Sequence, residues 1–323
     1  MKKLLAIILS VFMLAIGASC VDVPGEGVTL MAPDGAPGIV VSKIANDGKV
    51  GSRPVETNIV AGADQIVANV TNGSADMAVM PLNLAAKLYN GGVDIKLVSV
   101  NIFGSLYMVG KTPVDGVEAL KGKVVYNIGR GGTPDMTFKY ILKNKGVEFV
   151  ESETPVEGKV ALQYVTDGSE LIGLFKSNSI EYGILGEPAV TNCNKATGTQ
   201  VVLSIQDEWK AITGESYTQA GFVVSGELAA DLAFMNSLGA ELNDTAEWCK
   251  SNADSLKELL TSKGSKLTVG YTPELIEKCS VGYVSAGDAR ADVEKYLTAL
   301  MGFNPNVVGG KLPDSNFYYG YKG

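Results

Sequence analysis

The chain has 323 residues, of which 46% are hydrophobic and 19% charged, a globular composition long enough for about two domains and a sizeable core. Its formal net charge is −8 and it has no histidine. The acidic balance argues against nucleic acid as a partner, since phosphate binding needs a basic stripe and none is visible. The missing imidazole excludes Ser-His-Asp and Cys-His nucleophiles and His-ligated zinc.

Lys2 and Lys3 form a basic start, and residues 4–16 are an apolar run of signal-peptide length. The run falls short of the ~20 apolar residues of a membrane span. Gly17, Ala18 and Ser19 then lead to Cys20. This order resembles a bacterial lipoprotein signal, in which the cysteine becomes the lipidated first residue. Gly17 departs from the pattern, which usually has leucine there. The expectation is a signal peptide over 1–19, a lipid anchor at Cys20 and a tether over 20–27, with plain secretion as the alternative. Either way the fold is expected outside the cytoplasm. Three further cysteines, Cys193, Cys249 and Cys279, are an odd number without CxxC or metal spacing. Free buried thiols are expected, a Cys249–Cys279 bridge is the alternative, and no metal or cofactor is called for.

Strand-like and helix-like segments then alternate. Residues 28–32, 55–60, 75–80 and 95–100 read as strands, and 38–46, 63–72 and 81–89 as the helices between them. This rhythm predicts a mostly parallel sheet flanked by helices. Residues 101–111 read as a long extended segment, able to leave one lobe and reach another. A second α/β unit follows. Residues 160–165 read as a strand or helix edge, 169–176 as a helix, 180–185 as a strand, 189–196 as a helix start and 200–205 as a strand. Residues 217–225 read as the return crossing. Helices are expected over 227–248, 253–262, 273–279 and 286–301, with an irregular tail over 302–323 on the first lobe. The lobes are therefore drawn as 28–104 plus 222–323, and 105–221.

Within the second unit, residues 124–142 stand out. An apolar strand runs through Gly129, Arg130, Gly131 and Gly132 to Thr133 and Pro134, which suit the N-cap and first position of a helix. Phe138, Ile141 and Leu142 give that helix one buried face, and Gly146 can end it. Free N–H groups at such a helix start favour an anion or strong acceptor. No G-x-x-x-x-G-K-[ST] pattern is present, so a nucleotide P-loop is not indicated.

Several stretches carry a family likeness: MAPDGAP at 31–37, VTNGSADMAVMPLNLAAKL at 70–88, GRGGTPD at 129–135, YGILGEPAV at 182–190 and LPDSNFYYG near the end. Their order resembles that of bacterial extracellular solute-binding proteins of ABC importers, in the branch related to aliphatic-sulfonate, nitrate, taurine and thiamine-precursor binders. The resemblance implies a type II periplasmic-binding-protein fold, two α/β lobes joined by two extended crossings. It also implies a monomer that closes on a small solute and presents it to an ABC permease, with no bond made or broken.

Strand ends facing the crevice supply the candidate pocket. They are Asp34, Gly35, Pro81, Leu82 and Asn83 in the first lobe, Asn101 at the first crossing, Arg130, Gly131, Gly132, Thr133 and Glu187 in the second lobe, and Tyr217 at the second crossing. Arg130, the one obvious cation, suits a sulfonate, carboxylate or phosphate, and its loss should weaken an anionic ligand by on the order of 2–4 kcal/mol if the pair is buried. Asp34 and Glu187 suit an amine or N–H-rich ring. A sulfonate, a zwitterion and a polar heterocycle all remain open. The rival readings are a two-lobed biosynthetic enzyme and a surface lipoprotein for adhesion or sensing.

Overall fold

The structure, a computed structural model, describes residues 26–320, so the expected signal peptide, Cys20 and most of the tether lie outside the described residues. Two sheets organise the rest. The first is built from β1 (Val28–Pro33), β2 (Lys49–Val50), β3 (Arg53–Val60), β4 (Met77–Pro81) and β5 (Ile95–Ile102). The second is built from β6 (Leu106–Gly110), β7 (Val124–Ile128), β8 (Phe149–Glu151), β9 (Val160–Val165), β10 (Tyr182–Gly186) and β11 (Gln200–Ser204). The chain then returns to the first sheet with β12 (Ala220–Ser225) and β13 (Val281–Ser285).

The strand orders are β13-β5-β12-β4-β1-β3-β2 and β11-β6-β10-β7-β9-β8. The same arrangement occurs twice: the first strand after each crossing is inserted between two strands of the sheet it joins and runs antiparallel to both. β12 lies antiparallel between β4 and β5, and β6 lies antiparallel between β10 and β11. In the first sheet β1 pairs in parallel with β3 and β4, and β2 pairs antiparallel with β3. The first sheet is thus mixed where the sequence rhythm predicts a mostly parallel one, because strands arriving from elsewhere run against it. The run Met77–Pro81 is almost wholly buried, as a strand covered by helices on both faces must be.

The two extended segments each end in a different sheet. Residues 101–111 are the end of β5, a turn at Phe103–Ser105 and β6. On the return, β12 begins at Ala220, two residues before the boundary drawn at 222. Several elements are absent from the sequence reading, the short strands β2 and β8 among them. A helix over Ile205–Thr213 follows β11, and β13 occupies the gap between the helices expected over 273–279 and 286–301. β13 pairs antiparallel with β5.

The C-terminal helix Ala286–Phe303 packs on both lobes. Its Tyr296 meets Trp209 and Tyr217, and Phe303 meets Phe149 of β8. The tail lies on the first lobe, where the Tyr319 N–H donates to the Leu97 carbonyl at 2.9 Å and Phe317 and Tyr318 are buried. One apolar core therefore runs through Leu97, Leu106, Phe138, Tyr217 and Tyr296 without a break between the lobes. Cys193, Cys249 and Cys279 are free and buried.

Candidate ligand site between the lobes

The carboxyl ends of β1, β3 and β4 face those of β7, β9 and β10, and a cavity of about 120 Å³ lies between them. Its walls are mostly apolar, with Met80, Leu106, Ile128 and Leu267 among them. The starts of five helices of nine or more residues also reach it. Their N-caps are Gly62 and Pro81 from the first lobe and Gly132, Asp167 and Pro188 from the second. The first N–H groups of a helix have no partner inside it, and the aligned peptide dipoles place partial positive charge there. These five strand–loop–helix units thus turn their donor ends to the same space.

The expected residues divide evenly: Asp34, Gly35, Pro81, Gly132, Thr133 and Glu187 line the cavity, and the other six do not. Arg130 turns outward. Its side chain is 64% exposed, pairs with Glu151 and lies over the Tyr164 ring. Gly131 is used within the loop, its N–H donating to Asp135 Oδ2 at 2.8 Å and its carbonyl accepting from Asn83 Nδ2 at 2.8 Å. Asn83 is therefore a tie between the lobes, and Leu82 beside it is wholly buried in the core. Asn101 is buried within the first lobe, accepting from Ser99 Oγ and donating to the Gly282 carbonyl. Tyr217 is enclosed by Trp209 and Tyr296. At these six positions core packing or a loop contact takes the side chain that the strand-end rule aims at the crevice.

Thr133 is inside its helix, and Gly132 is the N-cap without a side-chain bond. The Thr133 hydroxyl instead donates across to the Gln219 carbonyl at 2.9 Å. Gln219 and Ser105, absent from the candidate set, sit together at the two crossings: Gln219 Oε1 accepts from the Ser105 N–H at 3.0 Å. The segment Thr166–Ser169 is also absent from it and lines the second-lobe wall. Its signal is readable in hindsight. Asp167 caps the helix Gly168–Lys176 by accepting from the Glu170 N–H at 2.8 Å, an acid-x-x-Glu pattern just after a strand.

The three acidic wall residues are engaged inside the protein. Asp34 accepts from the Gly35 N–H at 2.9 Å, Ser265 Oγ at 2.6 Å and the Lys266 N–H at 2.8 Å. Glu187 accepts from the Thr191 N–H at 3.0 Å and Thr191 Oγ1 at 3.1 Å. Asp167 also accepts from Lys266 Nζ at 3.1 Å. No lysine or arginine lines the cavity among the described residues.

No family model and no curated protein sequence matches the chain. Solved structures do. An ABC transporter from Parabacteroides distasonis aligns with a TM-score of 0.72 at 22% identity, covering 90% of this chain and 98% of that one. The periplasmic aliphatic sulphonate binding protein SsuA from Escherichia coli aligns at 0.66 and 13% identity, over 91% of this chain and 92% of its own. The chain has the two-lobed fold of the periplasmic binding proteins. The periplasmic nitrate-binding protein NrtA from Synechocystis PCC 6803 shares it at 0.64 and 15% identity, covering 87% of this chain and 82% of its own. In a binding-protein fold of this kind both lobes meet over their strand ends, and the cavity described above lies there.

Proposed function

We propose that this protein is an extracytoplasmic solute-binding component of an ABC importer, anchored through Cys20 and monomeric. It holds a small solute between its lobes and hands it to the permease. The observation that carries this reading is the cavity walled jointly by the two lobes at their strand ends. A solute touching both walls stabilises the closed form over the open one, and only that difference in affinity shifts the population. The relatives in fold named for a sulphonate and for nitrate lend support to the same reading.

The ligand class follows from the donors. The positive dipole ends of five helices reach the cavity, and the wall carboxylates already have partners, Asp167 and Glu187 among the helix N–H groups themselves. A compact oxyanion head, a sulfonate or the acidic end of a small zwitterion, is the best match, bound by peptide dipoles without a cationic side chain. A polar heterocycle fits less well, because the ring donors it offers meet acceptors already in use.

Native mass spectrometry of the mature chain, purified without denaturation, tests this. A discrete retained mass, or a thermal shift with ethanesulfonate, taurine or nitrate, supports it. Failure of every anionic probe together with a shift by an aminopyrimidine would transfer the reading to heterocycles. Failure of all of them would favour an adhesion or sensing role.

A further inference from the structure

The segment after the helix Ala253–Ser262 borders the cavity, which Leu267 lines. It is fixed to the first lobe at both ends. On one side the Lys263 carbonyl accepts from the Ile59 N–H at 2.7 Å. On the other, Val269 and Tyr271 are buried in the first lobe's own core, with Ile39, Phe222 and Leu256. Between these anchors Leu267 does the opposite. It is 5% exposed and belongs to the second lobe's core, with Val165, Leu171, Ala189 and Val190. The neighbouring residues reinforce that crossing. Lys266 Nζ is 3.1 Å from Asp167 Oδ2, and Thr268 Oγ1 is 3.3 Å from Asn192 Oδ1. Ser265 and Lys266 meanwhile hold Asp34 on the first-lobe wall.

We propose that residues 265–268 form a strap that locks the lobes shut, with Leu267 as its wedge. Release of a solute then requires Leu267 to withdraw from the second lobe. The inference rests on the reading that the lobes close on a solute. The cluster of Tyr217, Trp209 and Tyr296 is not where they part, because the core runs through it without a break between the lobes. Opening is therefore a rotation about that aromatic cluster, and the strap is what lets go. The apolar wedge carries the lock, since the Lys266–Asp167 pair has a 61% exposed lysine and is screened by solvent. Leu267 also lines the cavity, so one side chain both bounds the solute and holds the lid.

The test uses small-angle scattering on the mature chain, with native mass spectrometry confirming that it is empty. Leu267→Ser should give a larger radius of gyration than the wild type, with circular dichroism unchanged. Leu267→Ala should give a smaller rise in the same direction and serves if the serine variant fails to fold. Adding the Gly62→Cys/Thr166→Cys pair, whose backbones approach closely across the cleft, and oxidising it should return Leu267→Ser to the wild-type radius. A folded Leu267→Ser or Leu267→Ala whose radius equals that of the wild type overturns the strap. None of these readings needs a ligand, so the strap can fail while solute capture stands, and the reverse.

Discussion

Tyr296 of the C-terminal helix stacks on Tyr217 at the return crossing, their ring centroids 5.7 Å apart and their planes 23° from parallel. Trp209 sits against both, at 5.5 and 5.4 Å. The two phenols differ in one respect. Tyr296 Oη lies 3.3 Å from Thr137 Oγ1, whereas the buried Tyr217 hydroxyl has no partner among the described residues. A buried unsatisfied hydroxyl is a cost, so Tyr217→Phe should raise stability by about 1 kcal/mol while Tyr296→Phe lowers it by about as much. Tyr217→Ala should cost about 3–5 kcal/mol through the cavity it leaves. Urea unfolding followed by far-ultraviolet circular dichroism measures all three.

Arg130, in the loop after β7, and Asp135, in the first turn of the helix that follows, should behave in opposite ways. Arg130→Ala removes a solvent-exposed pair with Glu151, so both stability and solute affinity should change by less than about 1 kcal/mol. The affinity loss expected from the sequence would return Arg130 to the pocket. Asp135 is 1% exposed and accepts from the Gly131 N–H at 2.8 Å, Tyr164 Oη at 2.8 Å and Lys139 Nζ at 3.1 Å. Burial and the nearby Asp135 carboxylate push the Tyr164 phenol well up, so it stays a donor. Asp135→Ala leaves a nearly buried lysine with its first partner gone and should cost about 3–5 kcal/mol. Paired thermal melts of the two variants separate these outcomes.

Much of the scaffold is legible in the sequence because its signals are local. The apolar run ending at Ile128, the three glycines and the stripe of Phe138, Ile141 and Leu142 mark a strand, a loop and a helix without outside help. The inserted strands are less legible: nothing in Ala220–Ser225 says that it runs antiparallel between β4 and β5, since both its neighbours lie far off in the chain. β13 is short and half-buried throughout, so its pattern gives no clear alternation. The site divides for the same reason. Strand-end positions such as Asp34, Gly132 and Glu187 follow from the topology of one unit. Leu267 is reached only through a contact between lobes, and a leucine in a loop carries no mark of the core it joins.

Alkaline pH should destabilise the protein through its buried thiols and phenols. Burial pushes the Cys249 thiol from 9.0 up to about 11, with Ser42 beside it working weakly in the other direction. Between those values the unfolded chain loses the proton and the folded chain keeps it. The contribution is therefore whole below pH 9.0 and is lost as pH rises to about 11. It amounts to about 2–3 kcal/mol at most. Tyr296, raised by burial from 10.0 to about 12, extends the loss upward. Urea midpoints measured from neutral pH upward should fall above pH 9.0, and Cys249→Ala should reduce the slope up to about 11, with Cys279 and Cys193, raised by burial too, supplying the rest. An unchanged slope in that variant would assign the loss elsewhere. The native thiol should also resist alkylation at neutral pH, since the thiolate is the reactive form.

Gly264 gives the sharpest backbone prediction. It has a φ of +112°, and a Cβ there would lie 2.4 Å from the Ile59 carbonyl oxygen. Neither condition admits a side chain: the first strains any L residue, and the second sets it against backbone at the end of β3, which cannot swing aside. The position also fixes how the chain leaves the helix Ala253–Ser262 and turns toward Leu267. Gly264→Ala should therefore cost about 1–3 kcal/mol. The nearby Gly270, whose added Cβ meets nothing within 4 Å, is the control, and Gly270→Ala should stay within about 0.5 kcal/mol. Equal melting temperatures for the two variants would mean that the approach of Gly264 to Ile59 does not constrain the strap.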